Sequence, residues 1–404
     1  MNPNSSNPAL CHLIAQQISA SPDQRITFAE YMDLALYHPQ HGYYTHDQVM
    51  LGKRGDYLTS SHLGADFGEL LAEQFVQMWE ILGHPCPFTL VEMGAGQGLL
   101  MQSILHYLHR CHPECSQALE YIIIEKSATL IAQQQQRLSG SHAWPNLKWF
   151  TWSEIPPNAW VGCCFSNELV DALPVHLITI ESGQLQEIYV TTSPASNLLP
   201  DFVEIIAAPS TPELAKYFDL IGIDLSAAVY PEGYRSEINL AALNWLHTVA
   251  NRLQRGYLLT IDYGYPATRY YSVARHQGTL QCYYQHTHHS DPYRNVGRQD
   301  LTAHVDFTAL EQAGKRCGLD RVGFTQQGLF LMALGLGDRL STLAKTKSGN
   351  PSTIEQALRR RDILHQLINP MGLGNFGVLI QSKGLSTAES GRSLKGLNIP
   401  PLNA

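Results

Sequence analysis

The pattern of hydrophobic and polar positions changes near residue 86. Before that point, two stretches have helical periodicity. TFAEYMDLALY starts at Thr27 and has Glu30 three residues later, which is a capping box, and GELLAEQFVQMWEILG ends at Gly83. After that point, short apolar runs such as PFTLVEM and YIIIE alternate with amphipathic segments such as LLMQSILHYL. Apolar strands separated by helices are typical of a parallel sheet that is covered on both faces.

The alternation continues through the second half of the chain. WVGCCFSN and YLLTIDYG are predicted strands, and RVGFTQQG and FGVLIQSKG are predicted to be two closing strands. The segment from Ser236 to Gly256 is predicted to be a helix. DFTALEQAGKRCG is predicted to be another helix, with Asp306 as its N-cap.

The chain is predicted to contain three consecutive parts. Residues 1–85 form a helical region that includes a cofactor lid, and residues 86–384 form the main domain. Insertions are expected in the main domain at about 185–235 and 265–305. Residues 385–404 are rich in Ser, Gly and Pro and are predicted to be a disordered tail.

The charge of the chain disfavours nucleic acid as its main partner. The sequence has 35 acidic and 27 basic residues, a net charge of −8, and no basic stripe. No apolar run approaches the roughly 20 residues that span a bilayer, so membrane insertion is not expected. The N-terminal stretch lacks the pattern of a secretory signal and has no Arg before Arg25, which predicts a cytoplasmic protein.

The cysteine and histidine spacings indicate no metal site. The eight cysteines include no C-x-x-C pair, which disfavours a zinc ribbon or a thioredoxin-type redox site. HRCHPEC and HTHH contain residues that can bind metals, but neither has a matching second half, so solvated loops are favoured. Cys163 and Cys164 lie in an apolar run and are predicted to be buried.

A glycine-rich turn follows the predicted strand PFTLVEM. In VEMGAGQGLL, Gly94, Gly96 and Gly98 lead into the next helix, and Glu92 precedes them. Such a turn presents backbone N–H groups and the positive end of a helix dipole at the carboxyl edge of the sheet. The dinucleotide pattern G-x-G-x-x-G requires a glycine where this chain has Leu99, and Glu92 would repel a phosphate.

A cationic ligand without phosphate suits this turn better, and S-adenosylmethionine is such a ligand. Bare glycines let the backbone approach its amino-acid portion, and Glu92 would offset the positive charge directly or through water. Glu125 follows the next strand and is placed to accept hydrogen bonds from ribose hydroxyl groups. The alternative is that the glycines only make a tight turn.

Six stretches, in this order, resemble the MidA-like methyltransferases. They are ITFAEYMDLALYHPQHGYY, GDYLTSSHLGADFGELLA, VEMGAGQG, SNELVDALPV, IDYGYP and GRQDLTAHVDFTAL. Members of this family are class I S-adenosylmethionine-dependent enzymes, and the eukaryotic members serve mitochondrial complex I assembly as protein arginine methyltransferases. The resemblance implies an α/β fold with a doubly wound, seven-stranded, Rossmann-like sheet. It also implies S-adenosylmethionine as cofactor and a protein substrate, such as a complex I-type subunit or assembly partner.

The resemblance further implies residues of the site. The implied cofactor-binding residues are Glu92, Gly94, Gly96, Gly98, Glu125, Gly55, Asp56, Thr59 and Ser60, the last four in a loop that closes over the cofactor. The motif SNELVDALPV resembles the one that faces the transferred methyl group. The implied catalytic residues are Asn167, Glu168 and Asp171.

The chemistry of a guanidinium acceptor favours carboxylates at this position. A guanidinium is planar and keeps its charge in water, so an enzyme must grip it, localise its charge and take up a proton. Glu168 is expected to anchor the guanidinium, and Asp171 is either a second acid or a cap of the turn before Pro174. Asp262 either lines the acceptor pocket or makes a turn, and His304 is either a proton acceptor or a structural histidine.

Two other functions are weighed against methyl transfer to a protein. One is a nicotinamide-dependent oxidoreductase, which Leu99 and Glu92 oppose. The other is a non-catalytic assembly factor that keeps the methyltransferase fold.

Overall fold

The computed structural model describes residues 6–45, 60–138, 144, 146–193, 199–225, 229–285, 287–345 and 351–398. The helices within them are α1 Pro8–Ala20, α2 Phe28–Tyr37, α3 Ala65–Ile81, α4 Leu99–Cys111, α5 Pro113–Ala118, α6 Ala128–Leu138, α7 Glu213–Ile221, α8 Leu240–Arg252, α9 Ala267–Tyr270, α10 Phe307–Arg316, α11 Gln327–Ala333, α12 Leu336–Ala344, α13 Pro351–Leu367 and α14 Thr387–Ser390. None of these helices has the length and apolarity that crossing a bilayer requires.

The strands of the same residues are β1 Ile26–Thr27, β2 Phe88–Met93, β3 Leu119–Ile124, β4 Leu147–Phe150, β5 Trp160–Asn167, β6 His176–Glu181, β7 Gln184–Thr192, β8 Phe202–Ala207, β9 Arg235–Ile238, β10 Leu253–Asp262, β11 Gly264–Tyr265, β12 Gln281–Tyr284, β13 Thr287–His289, β14 Asp300–Thr302, β15 Val305–Asp306, β16 Asp320–Gln326 and β17 Gly377–Lys383.

The chain divides into two compact units, and neither unit is continuous in sequence. The sheet unit contains residues 58–169, 248–263 and 314–404. The second unit contains residues 1–57, 170–247 and 264–313, which include both predicted insertions. The sequence analysis, by contrast, divides the chain into consecutive segments.

Among the described residues of the sheet unit, seven strands form one sheet in the order β4-β3-β2-β5-β10-β17-β16. The five strands from β4 to β10 are parallel, whereas β17 runs antiparallel to both of its neighbours. The chain leaves β2 towards β3 and β4 on one side and later adds β5 and β10 on the other. The sheet is therefore doubly wound, and the predicted α/β fold is confirmed. The strand order reverses between β2 and β5, where such sheets bind their ligands.

The buried faces of the sheet follow from its apolar strands. Every residue of β2 is buried, in agreement with the continuous apolar run PFTLVEM. On one face, Leu90 and Phe165 belong to a hydrophobic cluster that includes side chains of α3 and α4. The rings of Phe75 on α3 and Phe165 on β5 have centroids 4.9 Å apart. These contacts fix the two strands that precede the site.

Two of the helices between β16 and β17, α12 and α13, are tied to α3 by a buried ionic contact. Asp66 on α3 accepts hydrogen bonds from Arg339 on α12 at 2.6 Å and from Arg360 on α13 at 2.6 and 2.8 Å. Burial alone would raise the pKa of Asp66, but the two arginines outweigh burial and hold the pKa below its ordinary value. Asp66 therefore stays ionised and anchors both helices.

The second unit is built on an antiparallel sheet. Its described strands pair in the order β1-β7-β6-β9, and β8 pairs with the other edge of β7. The predicted capping box opens α2, because Thr27 Oγ1 accepts from the Glu30 amide at 3.1 Å and Glu30 accepts from the Thr27 amide at 2.8 Å. Asp306 caps α10 as predicted, accepting from the Ala309 amide at 3.2 Å.

The predicted helix from Ser236 to Gly256 is wrong at both ends. Residues 235–238 form β9, which pairs with β6, and α8 ends at Arg252. Gly256 lies inside β10 with a φ of 135°, and a Cβ on it would overlap the backbone of Gly162 on β5. Gly256 therefore allows two strands to approach each other and does not end a helix.

Part of the predicted disordered tail is folded. Residues 385–398 include α14, whose N-terminus is capped by Ser386 and Glu389. Leu394 is 1% exposed within the hydrophobic cluster of the sheet unit, and the Gly396 amide donates to Gln74 on α3 at 2.9 Å. Apolar contacts of Leu385, Leu394 and Leu397 and a capping box thus order a stretch whose composition resembles a linker.

Candidate active site at the carboxyl edge of the sheet

The turn between β2 and α4 has a backbone that only glycine adopts without strain. The φ angles of Gly94, Gly96 and Gly98 are 69°, 51° and 75°, all in the left-handed region. A Cβ on Gly94 would lie 2.8 Å from Cδ1 of Leu169, which follows β5. The three glycines are therefore required by backbone angle and, at Gly94, also by space.

Side chains of helix α6 hold this turn by donating hydrogen bonds to the carbonyl groups of the turn. Gln134 Nε2 donates to the Gly96 carbonyl at 2.8 Å, and the indole N–H of Trp149 donates to Gln134 Oε1 at 2.8 Å. Arg137 Nε donates to the carbonyl of Gln97 at 2.8 Å. The sequence analysis missed these supports. The signal for Gln134 is its place four residues after Leu130 on the buried stripe of α6.

Carbonyl groups of the turn are hydrogen-bonded to side chains of α6, and the turn offers its amide N–H groups to a ligand. Gly98 donates its own N–H to the Ala95 carbonyl at 2.8 Å. The N–H groups of Ala95, Gly96 and Gln97 have no acceptor among the residues that the structure describes. Three amides beside the first turn of α4 suit a carboxylate.

Glu92 lies beneath the turn and is almost completely buried. It is 3% exposed, and the hydroxyl of Tyr121 on β3 donates to its Oε2 at 2.6 Å. Burial raises the pKa of Glu92 to about 7, the Tyr121 hydrogen bond lowers it, and the charge of Glu125 raises it. Glu92 therefore changes its charge near neutral pH, whereas the sequence analysis treats it as an ordinary carboxylate. The sequence analysis did not foresee Tyr121 as its partner.

Glu125 directly follows β3 at the same edge of the sheet. Its Oε1 accepts from the amides of Lys126 and Ser127 at 2.8 and 2.9 Å. Burial raises its pKa, and these backbone hydrogen bonds act in the opposite direction. Oε1 is thus held by the backbone, which orients the carboxyl group for other donors.

Asn167 and Glu168 stand where β5 ends. Glu168 has a φ of 52°, which is strained for a residue with a side chain, and its amide donates to the Ile261 carbonyl on β10 at 2.9 Å. Its Oε1 accepts from Asn167 Nδ2 at 3.0 Å and from the Ser60 amide at 3.1 Å. The backbone strain and the two donors together fix the direction of the carboxylate.

The Oδ1 atom of Asn167 is buried and has no hydrogen-bond partner among the described residues. The amide cannot be reversed without cost, because Nδ2 must face the Glu168 carboxylate. A buried acceptor without a donor is costly, so this oxygen suits a donor supplied by a ligand.

The remaining residues implied by the resemblance fall into three groups. Gly55, Asp56 and Thr59 lie outside the described residues. Ser60 is buried and contacts Glu168 through its amide. Asp171 belongs to the second unit, where it is 5% exposed and its carbonyl accepts from the Ala303 amide at 2.9 Å.

The other polar candidates have structural partners. The ring of His304 stacks on Tyr265 with centroids 5.1 Å apart, and burial, together with the charge of Arg275, lowers its pKa to about 4. The Asp262 carboxylate accepts from the next amide, that of Tyr263, at 2.9 Å. No group of three metal-binding side chains occurs among the residues that the structure describes.

The residues present at the turn fit S-adenosylmethionine. A Cβ at position 94 would displace Leu169, and the amides at 95–97, which have no acceptor among the described residues, match an amino-acid carboxylate. Glu92 and Glu125 are the acids that would face its positive charge and its ribose hydroxyls. This cofactor supplies a methyl group on a sulfonium, which makes that methyl group electrophilic.

The sheet order, the reversed β17 and the glycine turn define the class of protein, an α/β methyltransferase. The sequence model of a family described as "Putative S-adenosyl-L-methionine-dependent methyltransferase" matches residues 70–325. The chain belongs to this family, and the predicted methyltransferase resemblance and cofactor are confirmed.

Curated relatives and a solved structure agree with this assignment. The mitochondrial protein arginine methyltransferase NDUFAF7 of Rattus norvegicus is 30% identical over 96% of this chain and 88% of its own length. The Homo sapiens protein of the same name is 30% identical over 95% and 85%. A crystal structure from Burkholderia thailandensis, bound to S-adenosyl-homocysteine, has a TM-score of 0.81 and 30% identity, over 96% of this chain and 94% of its own.

The prediction of a cytoplasmic protein is contradicted by these comparisons. The curated relatives from rat, fly and human are all named as mitochondrial proteins. The prediction depended on a missing leader pattern, and an absent pattern is weaker evidence than matches that extend over most of the chain.

Proposed function

We propose that this protein is a protein arginine N-methyltransferase. The curated relatives carry that activity in their names, and they match more than nine-tenths of this chain in rat and human. The observation that carries the proposal is the Glu168 carboxylate, held by Asn167 and Ser60 beside the glycine turn. We further propose a complex I-type subunit or a related assembly partner as the substrate, in line with the resemblance to MidA-like enzymes.

Glu168 has the properties that a guanidinium acceptor requires. A carboxylate accepts two parallel N–H bonds from the planar fork and draws positive charge towards itself. That leaves more electron density on the nitrogen that attacks. Because Glu168 is oriented by two donors and a strained backbone, little is lost in positioning it when the substrate binds.

Asn167 completes the proposed acceptor site around Glu168. Asn167 Oδ1 is the acceptor for a further substrate N–H, because it has no partner of its own in the described chain. Asp171 follows Glu168 by three residues and is proposed as the second acid. A carboxylate at the site also takes up the proton that the guanidinium releases as its new N–C bond forms.

Mass spectrometry of a reconstituted reaction tests the proposal. The purified protein and S-adenosylmethionine are incubated with an extract of cells that lack the protein, and methylated peptides are identified. We expect new methylarginine on a protein of the respiratory chain. New methyl-lysine, or a methylated small molecule in its place, would overturn the arginine assignment.

A charge-removing variant locates the activity. Glu168→Gln is expected to lower methyl transfer about 100-fold, the order of effect seen when one catalytic acid or base is lost. Glu181→Gln is the control, because Glu181 also ends a strand but is exposed and lies in the second unit. If Glu168→Gln abolishes methylation while partner assembly continues in cells, a scaffold role dominates.

A further inference from the structure

The carboxylate of Glu168 depends on a segment more than one hundred residues away in sequence. One donor to this carboxylate is the backbone N–H of Ser60, at 3.1 Å. Ser60 begins the short helical turn Ser60–Leu63 that precedes α3. A shift of this turn would remove the donor without changing either residue, so whatever holds Ser60 also orients Glu168.

The side chain of Gln327 holds Ser60 from the other side. The hydroxyl of Ser60 donates to Oε1 of Gln327 at 3.3 Å, and both residues are completely buried. Gln327 begins α11 immediately after the strand β16. Its side chain contributes nothing to the apolar packing that a leucine or methionine would not supply, so a buried amide here requires another explanation.

The orientation of the Gln327 amide is determined by its partners. Nε2 donates to the carbonyl of Leu367 at the end of α13 at 3.2 Å. A carbonyl can only accept, so Oε1 must point towards Ser60. The backbone N–H of Gln327 donates to the Phe376 carbonyl at 2.8 Å, which fixes the start of the helix as well.

We propose that Gln327 is a positioning residue for methyl transfer, acting on Glu168 through Ser60. Gln327 joins three segments, the end of α13, the turn at Ser60 and the start of α11, and so transmits their placement to the carboxylate. This inference rests on the proposed role of Glu168 as the group that grips the acceptor. Gln327 touches neither cofactor nor acceptor in this proposal, and its effect is on geometry alone.

The test compares two neighbouring glutamines. Gln327→Met keeps the shape and removes both side-chain hydrogen bonds. Gln326→Met is the matched control, because Gln326 also bonds an amide group, Asn375 Oδ1 at 3.0 Å, but on the exposed surface. Ser60→Ala is a second variant that cuts the same contact from the other end and keeps the N–H that reaches Glu168.

Hydrogen exchange of the Ser60 amide measures the contact independently of activity. In the ¹⁵N-labelled protein, Gln327→Met and Ser60→Ala are expected to speed exchange of this amide about tenfold, and Gln326→Met is expected to leave it unchanged. Unchanged exchange in both variants would overturn the proposal, because the Ser60 turn would then hold its place without Gln327.

Kinetics separate positioning from general damage. Gln327→Met should lower kcat/KM for the protein substrate about tenfold, with the Kd for S-adenosylmethionine within twofold of wild type. In a Glu168→Gln background it should cause no further loss, because the carboxylate it orients is gone. A loss that multiplies with that of Glu168→Gln, or an equal loss in Gln326→Met, would overturn the role of Gln327 and leave the proposed function intact. Full activity of Glu168→Gln would overturn both.

Discussion

Replacement of Glu92 by glutamine tests the electrostatics beneath the glycine turn. Burial raises the pKa of Glu92 to about 7, against an ordinary value of 4.5. Between these values the folded protein binds the proton and the unfolded chain does not, so the folded state loses stability as pH rises. A difference of about 2.5 pKa units corresponds to about 3 kcal/mol at pH 8 and above.

Glutamine keeps an oxygen that accepts from the Tyr121 hydroxyl, and it cannot ionise. Glu92→Gln and wild type should therefore differ by less than about 0.5 kcal/mol in their free energies of unfolding near pH 4.5, where folded Glu92 is neutral and its unfolded form is about half ionised. At pH 8.5 the variant should be more stable by about 3 kcal/mol. Tyr121→Phe should raise the pKa of Glu92 further, because it removes the hydrogen bond that favours the ionised form.

The assay is a ¹³C NMR titration of protein labelled at glutamate carboxyl carbons, with Glu92→Gln assigning the resonance. Urea unfolding at pH 4.5 and pH 8.5 gives the matching free energies. The reasoning is refuted if the assigned carboxyl titrates near 4.5, or if wild type and variant keep the same difference in stability at both pH values.

The same titration bears on the cofactor. If ionised Glu92 offsets a cationic ligand, binding releases a proton. Below pH 7, the affinity for S-adenosylmethionine should therefore rise with increasing pH, by up to about tenfold per pH unit. Glu92→Gln should abolish this dependence in calorimetry. An unchanged pH dependence in the variant would assign it to another group.

Two further substitutions test the turn and its scaffold. Gly94→Ala should weaken cofactor binding at least about tenfold, because the added Cβ meets Leu169 and the φ of this residue is left-handed. Gly83→Ala is the control, because Gly83 has a similar φ of 79° but open space around it, and this variant should bind the cofactor as wild type does. Equal affinities of the two variants in calorimetry would contradict the role of Gly94. Asp66→Asn should lower the free energy of unfolding by about 2–3 kcal/mol, because Arg360 loses its carboxylate partner and Arg339 keeps only Glu69. Glu355→Gln in an exposed pair should change it by less than about 0.5 kcal/mol, and similar urea midpoints for the two variants would contradict a buried anchor.

Local sequence signals predict several elements of this protein correctly. The capping box at Thr27 and the N-cap at Asp306 are interactions within four residues, so the sequence contains both partners. The strand PFTLVEM is buried on both faces, and an uninterrupted apolar run is the expected pattern for such a strand. The glycine spacing and the acid after the next strand, Glu125, indicate the ligand edge, because parallel strands bring their carboxyl ends together.

Long-range pairing accounts for the elements that the sequence analysis misses. Ser236 and Glu237 lie next to a helical pattern, but β6 recruits them into a strand. Gly256 resembles a helix stop in the sequence. Only the structure shows that it is needed because the backbone of Gly162 on β5 lies too close to allow a Cβ. The periodicity of hydrophobic residues indicates which face of a single helix or strand is buried. It does not indicate which strand pairs with that element.

In the candidate site, too, local sequence signals predict some features and long-range contacts decide the others. From the chain alone one reads which residues belong at the edge of the sheet, including Glu92 and Glu168, since their place follows from strand ends and turn chemistry. Their chemical state is decided by folding. Tyr121 and burial set the charge of Glu92, and Gln327, acting through Ser60, sets the direction of Glu168, because pKa and orientation arise from neighbours that are distant in sequence.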